Sequence, residues 1–271
     1  SLNQTMKKFI PNESSIYDNA GNVALSTQST NTAKLKDLAG PIVLSITPNS
    51  DNSALVVEFD EEAFTKSDGS GLLDTSDVTL SLEGGNAILT NPKPTSFSKN
   101  GAVYTLGLGL SGKVNGFEKV TVQVQYNAIY DSLGNVSSPL QAVDNTLLID
   151  QTAPTFASLV LENDNSSVNV GFSNPVYNAT GGSGSLEKED FVINMTGGVA
   201  ILKSTTPSSL TYVDSSNTYK LGLSLEGVPD GYEVITLSPV ENSIYDAANN
   251  VANTAQARSK VNRRTARHPI E

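Results

Sequence analysis

Apolar residues alternate with polar or small ones in short runs along this chain, and the runs recur. Leu55, Val57 and Phe59 are echoed by Val168, Val170 and Phe172, while Val78, Leu80 and Leu82 are echoed by Phe191, Ile193 and Met195. A period of two sends successive side chains to opposite faces, so each run predicts a strand with one buried face. Gly, Asn, Asp and Pro punctuate the runs, and no segment carries a helical period. Short strands at regular spacing, separated by turn residues, predict an antiparallel Greek-key β-sandwich.

The recurrence extends to whole motifs. IYDNAGN at 16–22, IYDSLGN at 129–135 and IYDAANN at 244–250 are spaced by 113 and then 115 residues. Pro41, Pro154 and Pro269 keep the same two intervals. Gly84-Gly85 corresponds to Gly197-Gly198, and Asn115-Gly116-Phe117-Glu118 to Asp230-Gly231-Tyr232-Glu233. YTLGLGL at 104–110 matches YKLGLSL at 219–225 only at the longer interval, which places a two-residue insertion between Pro207 and Tyr219. A fixed period of this length marks a repeat architecture. The expected organisation is the closing strands of a partial repeat over 1–40, a full repeat over 41–153, and a second over 154–271 ending in a basic strand or tail. Residues 1–40 match only the last third of a repeat. The expectation is a piece of a longer array, with the alternative that these strands complete a sandwich in another subunit.

Composition narrows the classes. The 271 residues include no Cys, no Trp and one His, His268, so disulfide scaffolds, thiolate metal sites and cysteine nucleophiles are excluded. Acidic side chains number 28 against 17 basic ones, for a formal net charge of −11, which argues against a general nucleic-acid binder. No apolar run reaches the ~18 residues of a membrane helix. The basic residues gather late: Arg258, Lys260, Arg263, Arg264 and Arg267 lie in the last 14 positions, a strip suited to an acidic partner or simply the solvent face of a last strand.

Candidate chemistry sits in the repeated loop. D-x-x-G-N is followed by a short strand ending in Asp and then a proline, as LKDLAGP at 35–41 and LIDQTAP at 148–154. This pattern resembles the bacterial Ig-like repeats of large secreted adhesins and other surface proteins and, more distantly, the cadherin interdomain linker. The resemblance covers nearly the whole chain and implies an all-β chain of tandem Ig-like Greek-key β-sandwiches, secreted or at the cell surface, with acids at domain junctions holding calcium. Carried over, Asp18 with Asp37 would serve the first junction and Asp131 with Asp150 the second. Asp246 stands in the third loop, but Thr265 replaces the linker acid beside Arg263 and Arg264. Ca²⁺ takes six to eight oxygens, which carboxylates and carbonyls of a loop and a linker can supply. The competing reading is turn chemistry, in which each Asp accepts nearby backbone N–H groups.

A second acidic group follows the second strand of each repeat, with Asp68, Asp74 and Asp77 in one copy and Glu187 and Asp190 in the other, a weaker metal candidate with unshared spacing. These acids lie in Gly- and Ser-rich turns rather than an apolar pocket, so a glycosidase pair, and an enzyme generally, is not expected. Phe59, Phe172, Tyr104 and Tyr219 recur on strands and read as core; Tyr17, Tyr130 and Tyr245 read as corner residues. The expected function is a non-enzymatic, extracellular structural or adhesive stalk whose partners are neighbouring repeats, or a cell-surface or polysaccharide receptor. The alternatives are a filament or sheath subunit joined through residues 1–40, and a polysaccharide-binding accessory module.

Overall fold

The computed structural model describes residues 6–8, 10, 12, 14–25, 32–125, 127–138, 143–214, 217–256 and 258–261. These fall into two compact units, 1–149 and 150–271. Among the described residues there is no α-helix, and one 3-10 turn at Lys188–Asp190 is the only helical element. His268 and the basic residues from Arg263 onward lie outside the described residues.

The first unit carries β1 (Met6–Lys8), β2 (Thr32–Lys34), β3 (Val43–Pro48), β4 (Ala54–Phe59), β5 (Val78–Glu83), β6 (Ile88–Leu89), β7 (Phe97–Asn100), β8 (Val103–Gly107), β9 (Leu110–Ser111), β10 (Lys119–Val124) and β11 (Val143–Leu147). They form an antiparallel sheet in the order β3-β4-β8-β7, a second in the order β5-β10-β11, and the small pairs β6-β9 and β1-β2. The inner faces meet in one core. Leu55, Val57, Tyr104 and Leu106 come from the first sheet, and Val78, Leu80, Val120, Val122 and Val124 from the second. Val56 and Glu58 alternate outward, as the period of two requires.

The second unit repeats the plan with β12 (Phe156–Leu161), β13 (Ser167–Phe172), β14 (Phe191–Thr196), β15 (Ile201–Leu202), β16 (Leu210–Asp214), β17 (Thr218–Gly222), β18 (Leu225–Glu226), β19 (Val234–Pro239) and β20 (Arg258–Val261). Its sheets run β12-β13-β17-β16 and β14-β19-β20, with β15-β18 as the small pair. Phe156, Val168, Val170, Phe172 and Leu221 pack against Phe191, Ile193, Ile235 and Leu237. Each unit is therefore an all-β, two-layer sandwich of antiparallel sheets.

The insertion has a defined place. In the first unit Lys99 pairs with Tyr104 across the β7-β8 hairpin, whereas in the second Tyr212 pairs with Tyr219. The register then shifts between Tyr212 and Asp214, a bulge that absorbs part of the extra length.

Candidate metal centre

The repeated loop is built by its own aspartate. In the first full repeat, Asp131 Oδ1 accepts from the backbone N–H groups of Leu133 (2.8 Å) and Asn135 (2.7 Å), and Oδ2 accepts from Asn135 Nδ2 (2.7 Å). Asp246 does the same with Ala248 (2.9 Å), Asn250 (2.8 Å) and Asn250 Nδ2 (2.9 Å). Asp18 repeats it with Ala20 (2.9 Å), Asn22 (2.9 Å) and Asn22 Nδ2 (2.8 Å). The turn reading of D-x-x-G-N is thus realised three times, with Gly21, Gly134 and Asn249 at positive φ. Asp131 and Asp246 are buried, and Asp18 is exposed.

Backbone pairing then docks the loop. Phe64, past the end of β4, exchanges N–H···O bonds of 2.8 Å in both directions with Tyr130, and Tyr177 does so with Tyr245. The phenol of Tyr130 donates to the carbonyl of Asn127 (2.9 Å) and that of Tyr245 to Asn242 (2.8 Å), which makes both corner residues. The linker is tied to the same loop. Asn135 Nδ2 donates to the carbonyl of Asp37 (3.3 Å) and Ser137 Oγ to that of Pro41 (2.7 Å). Asn250 Nδ2 likewise donates to the carbonyl of Asp150 (3.0 Å) and Gln256 Nε2 to that of Pro154 (3.0 Å).

These ties bring three carboxylates together. One oxygen from each of Asp37, Glu61 and Asp131 lies within 4.8 Å of the others. Asp37 therefore shares its site with Asp131 of the loop that follows it by almost a full repeat, and Asp18 is not part of the cluster. Glu61 was not legible as a ligand. It sits in the run Asp60-Glu61-Glu62, and its counterpart in the second repeat is Asn174. Its Oε1 is buried with no hydrogen-bond partner. Burial, and then the negative charges of Asp131, Asp60 and Asp37, push the Glu61 carboxyl up to about 7. Asp131 is held by its own loop and Asp37 Oδ1 accepts from Ala39 N (3.0 Å), so Glu61 Oε1 is the oxygen of the cluster left without a donor, and a proton or a cation would satisfy it. Oxygen-only, anionic donors fit a hard divalent cation such as Ca²⁺.

The other acids are engaged locally. Asp68 Oδ1 accepts from Ser70 N (3.0 Å) and Ser70 Oγ (2.5 Å), and Asp74 Oδ1 from Ser76 N (2.7 Å) and Ser76 Oγ (2.6 Å). Asp77 Oδ2 accepts from Asp74 N (2.7 Å), and Asp190 Oδ2 from Glu187 N (2.7 Å). Asp77 and Asp190 immediately precede β5 and β14. None of these five joins three acids around a point among the described residues. Asp150, with Asp246 and the amide of Asn174 at the Glu61 position, has the same loop and linker with one fewer carboxylate.

No protein-family model matches the sequence, and no curated protein is found as a relative. No helix among the described residues is long and apolar enough to cross a membrane.

Proposed function

We propose that the chain is a non-enzymatic segment of an extracellular structural or adhesive repeat protein, and that Asp37, Glu61 and Asp131 hold a calcium ion that fastens the linker at 35–41 to the sandwich following it. The convergence of three carboxylates, among them Glu61 with its orphaned Oε1, carries this reading. Calcium would supply the charge that the cluster lacks, and the linker carboxylate, which accepts from Ala39 N (3.0 Å), would become a ligand as well. A stalk needs its linkers to be stiff under load, and a cation shared between linker and loop provides that. The second repeat, with Asn174 in place of the third acid, would bind more weakly because calcium affinity follows the number of charged ligands.

Isothermal titration of the whole chain with calcium tests this. A heat of binding that Glu61→Gln removes, without loss of the fold, supports it. Absence of binding at millimolar calcium, the upper range for extracellular modules, would return the cluster to a protonated structural site.

A further inference from the structure

The two repeats differ at one place in a way that points to a ligand. In the first unit, Lys99 Nζ lies 4.9 Å from the centre of the Phe64 ring and 6.0 Å from that of Tyr104. It also pairs with Glu62 at 3.7 Å. An ammonium group thus covers an aromatic floor and carries its own counterion. In the second unit every member of that arrangement but one has changed. Tyr212 takes the register position of Lys99, Tyr177 that of Phe64, and Pro175 that of Glu62, while Tyr219 keeps the position of Tyr104.

A cavity of about 410 Å³ results, lined by Val176, Tyr177, Leu186, Tyr212, Asn217 and Tyr219 among others. Tyr212 and Tyr219 stand at 5.1 Å between centroids with their planes at 58°, two walls of a corner rather than a stack. Tyr212 is 51 % exposed despite its size, so it has not folded inward to fill the space that the lysine fills in the other repeat. The Tyr104 hydroxyl bonds both ways to the backbone of Ala63, but among the described residues the Tyr219 hydroxyl has no such bond. The register shift beside Tyr212 sets this wall, and bulges are a usual means of re-aiming a side chain.

We propose that the Tyr177–Tyr212–Tyr219 pocket binds a quaternary trimethylammonium group. Three tyrosine rings line the cavity, aromatic faces attract a cation, and the equivalent rings of the first unit, Phe64 and Tyr104, already have one over them. Among the described residues that line the cavity there is no carboxylate, Pro175 standing where Glu62 stands, and this decides which cation. A primary ammonium keeps strongly held water and wants acceptors, as Lys99 has in Glu62. A trimethylammonium group has no N–H to satisfy, so a neutral aromatic cage suits it better. The cavity exceeds that group in volume and leaves room for the chain that carries it. The pocket shares no residue with the carboxylate cluster and uses other chemistry, so calcium binding is not required for it.

The test is a titration of the whole chain followed by nuclear magnetic resonance at the Gly184 and Asn217 amides, with tetramethylammonium, choline, an amide of trimethyl-lysine, and the uncharged isostere 3,3-dimethylbutan-1-ol. The expected result is binding of the quaternary ions at least about tenfold tighter than the isostere, as a cation held by aromatic faces requires. Preference between choline and the lysine derivative identifies the source of the group. Tyr212→Lys restores the residue of the first repeat, so it should keep the fold and abolish binding by supplying an internal cation. Tyr212→Ala, checked for folding by urea denaturation, should weaken binding to a similar degree. Equal affinity for the isostere, binding of a neutral sugar alone, or unchanged binding in folded Tyr212→Lys would each overturn the proposal.

Discussion

Glu118 closes over Gly85: its Oε1 accepts from the N–H groups of Asn86 (2.7 Å) and Ala87 (2.9 Å), so closely that any side chain at position 85 would collide with its carboxyl group. Oε2 accepts from Asn115 N (2.9 Å). Glu233 repeats this over Gly198, accepting from Val199 (3.1 Å), Ala200 (3.1 Å), Asp230 (3.2 Å) and Gly231 (3.0 Å). Burial alone would raise both carboxyls, but these donors outweigh it, lowering Glu118 and holding Glu233 at about 2. Each is a buried carboxylate that replaces a missing ladder of backbone acceptors.

Glu118→Ala should destabilise the first unit by ~2–4 kcal/mol, because three N–H groups lose their acceptor in the interior. Gly85→Ala should cost a similar amount, since it meets both the carboxylate and a φ of +61°. Urea denaturation measures both. Because both folded pKa values lie below the unfolded ones, these carboxylates contribute fully above about pH 4.5 and lose their contribution as pH falls, for Glu233 on approaching about 2.

Glu61 predicts the opposite slope at a higher pH. Its folded pKa of about 7 lies above the ordinary 4.5, so its contribution is complete below about pH 4.5 and is lost as pH rises through 7. The loss is at most ~3 kcal/mol, since each tenfold change in proton affinity is worth ~1.4 kcal/mol, and partial exposure reduces it. With chelator, the melting temperature should fall between pH 5 and 8. Calcium at about ten times its Kd should restore ~1.4 kcal/mol at pH 8. Glu61→Gln should flatten the profile and remove the calcium response together; a profile unchanged by this substitution counts against the cluster.

Asn174→Glu supplies the second repeat with the carboxylate it lacks. Calorimetry should then show an additional calcium-binding event, lost again on Asp246→Ala. The same variant without calcium should be less stable at pH 8 than the parent, by the burial and then the like charges that raise Glu61.

Tyr104 and Tyr219 occupy equivalent core positions but should respond differently to loss of the hydroxyl. Tyr104→Phe strands the N–H and carbonyl of Ala63, each at 3.1 Å from the phenol oxygen, and should cost ~1–3 kcal/mol. Tyr219→Phe should stay within ~0.5 kcal/mol, since among the described residues the Tyr219 hydroxyl has no hydrogen bond to lose. Equal losses in thermal denaturation would contradict the difference between the two sites.

The repeat made most of the fold legible. The alternating triplets at 55–59 and 168–172 became β4 and β13, and the three turn aspartates became turns, because strand faces and Asx turns are set by neighbours in sequence. What depended on distant neighbours was hidden. The resemblance paired Asp18 with Asp37, yet the fold returns Asp131 to Asp37 across 94 positions. Glu61 escaped notice because the comparison that exposed the other residues places Asn174 opposite it. Tyr212 was obscured by the insertion, since a constant offset of 115 aligns it with Phe97 whereas strand pairing aligns it with Lys99. The paired glutamates over the glycines stood out only as matching positions of the repeat.

Asn52, in the turn between β3 and β4, holds both backbone groups of Ile149 with its side-chain amide, at 2.7 and 3.0 Å across 97 positions. Together with the Asn135 and Ser137 bonds to the linker, it stitches the beginning of the first unit to its end. A chain delivered from its N-terminus exposes Asn52 and the first hairpin long before the segment that seals them has emerged. The sandwich then closes in one late step rather than growing strand by strand, and such distant closure slows folding. The first unit therefore cannot make these ties until its last loop has been added to the chain.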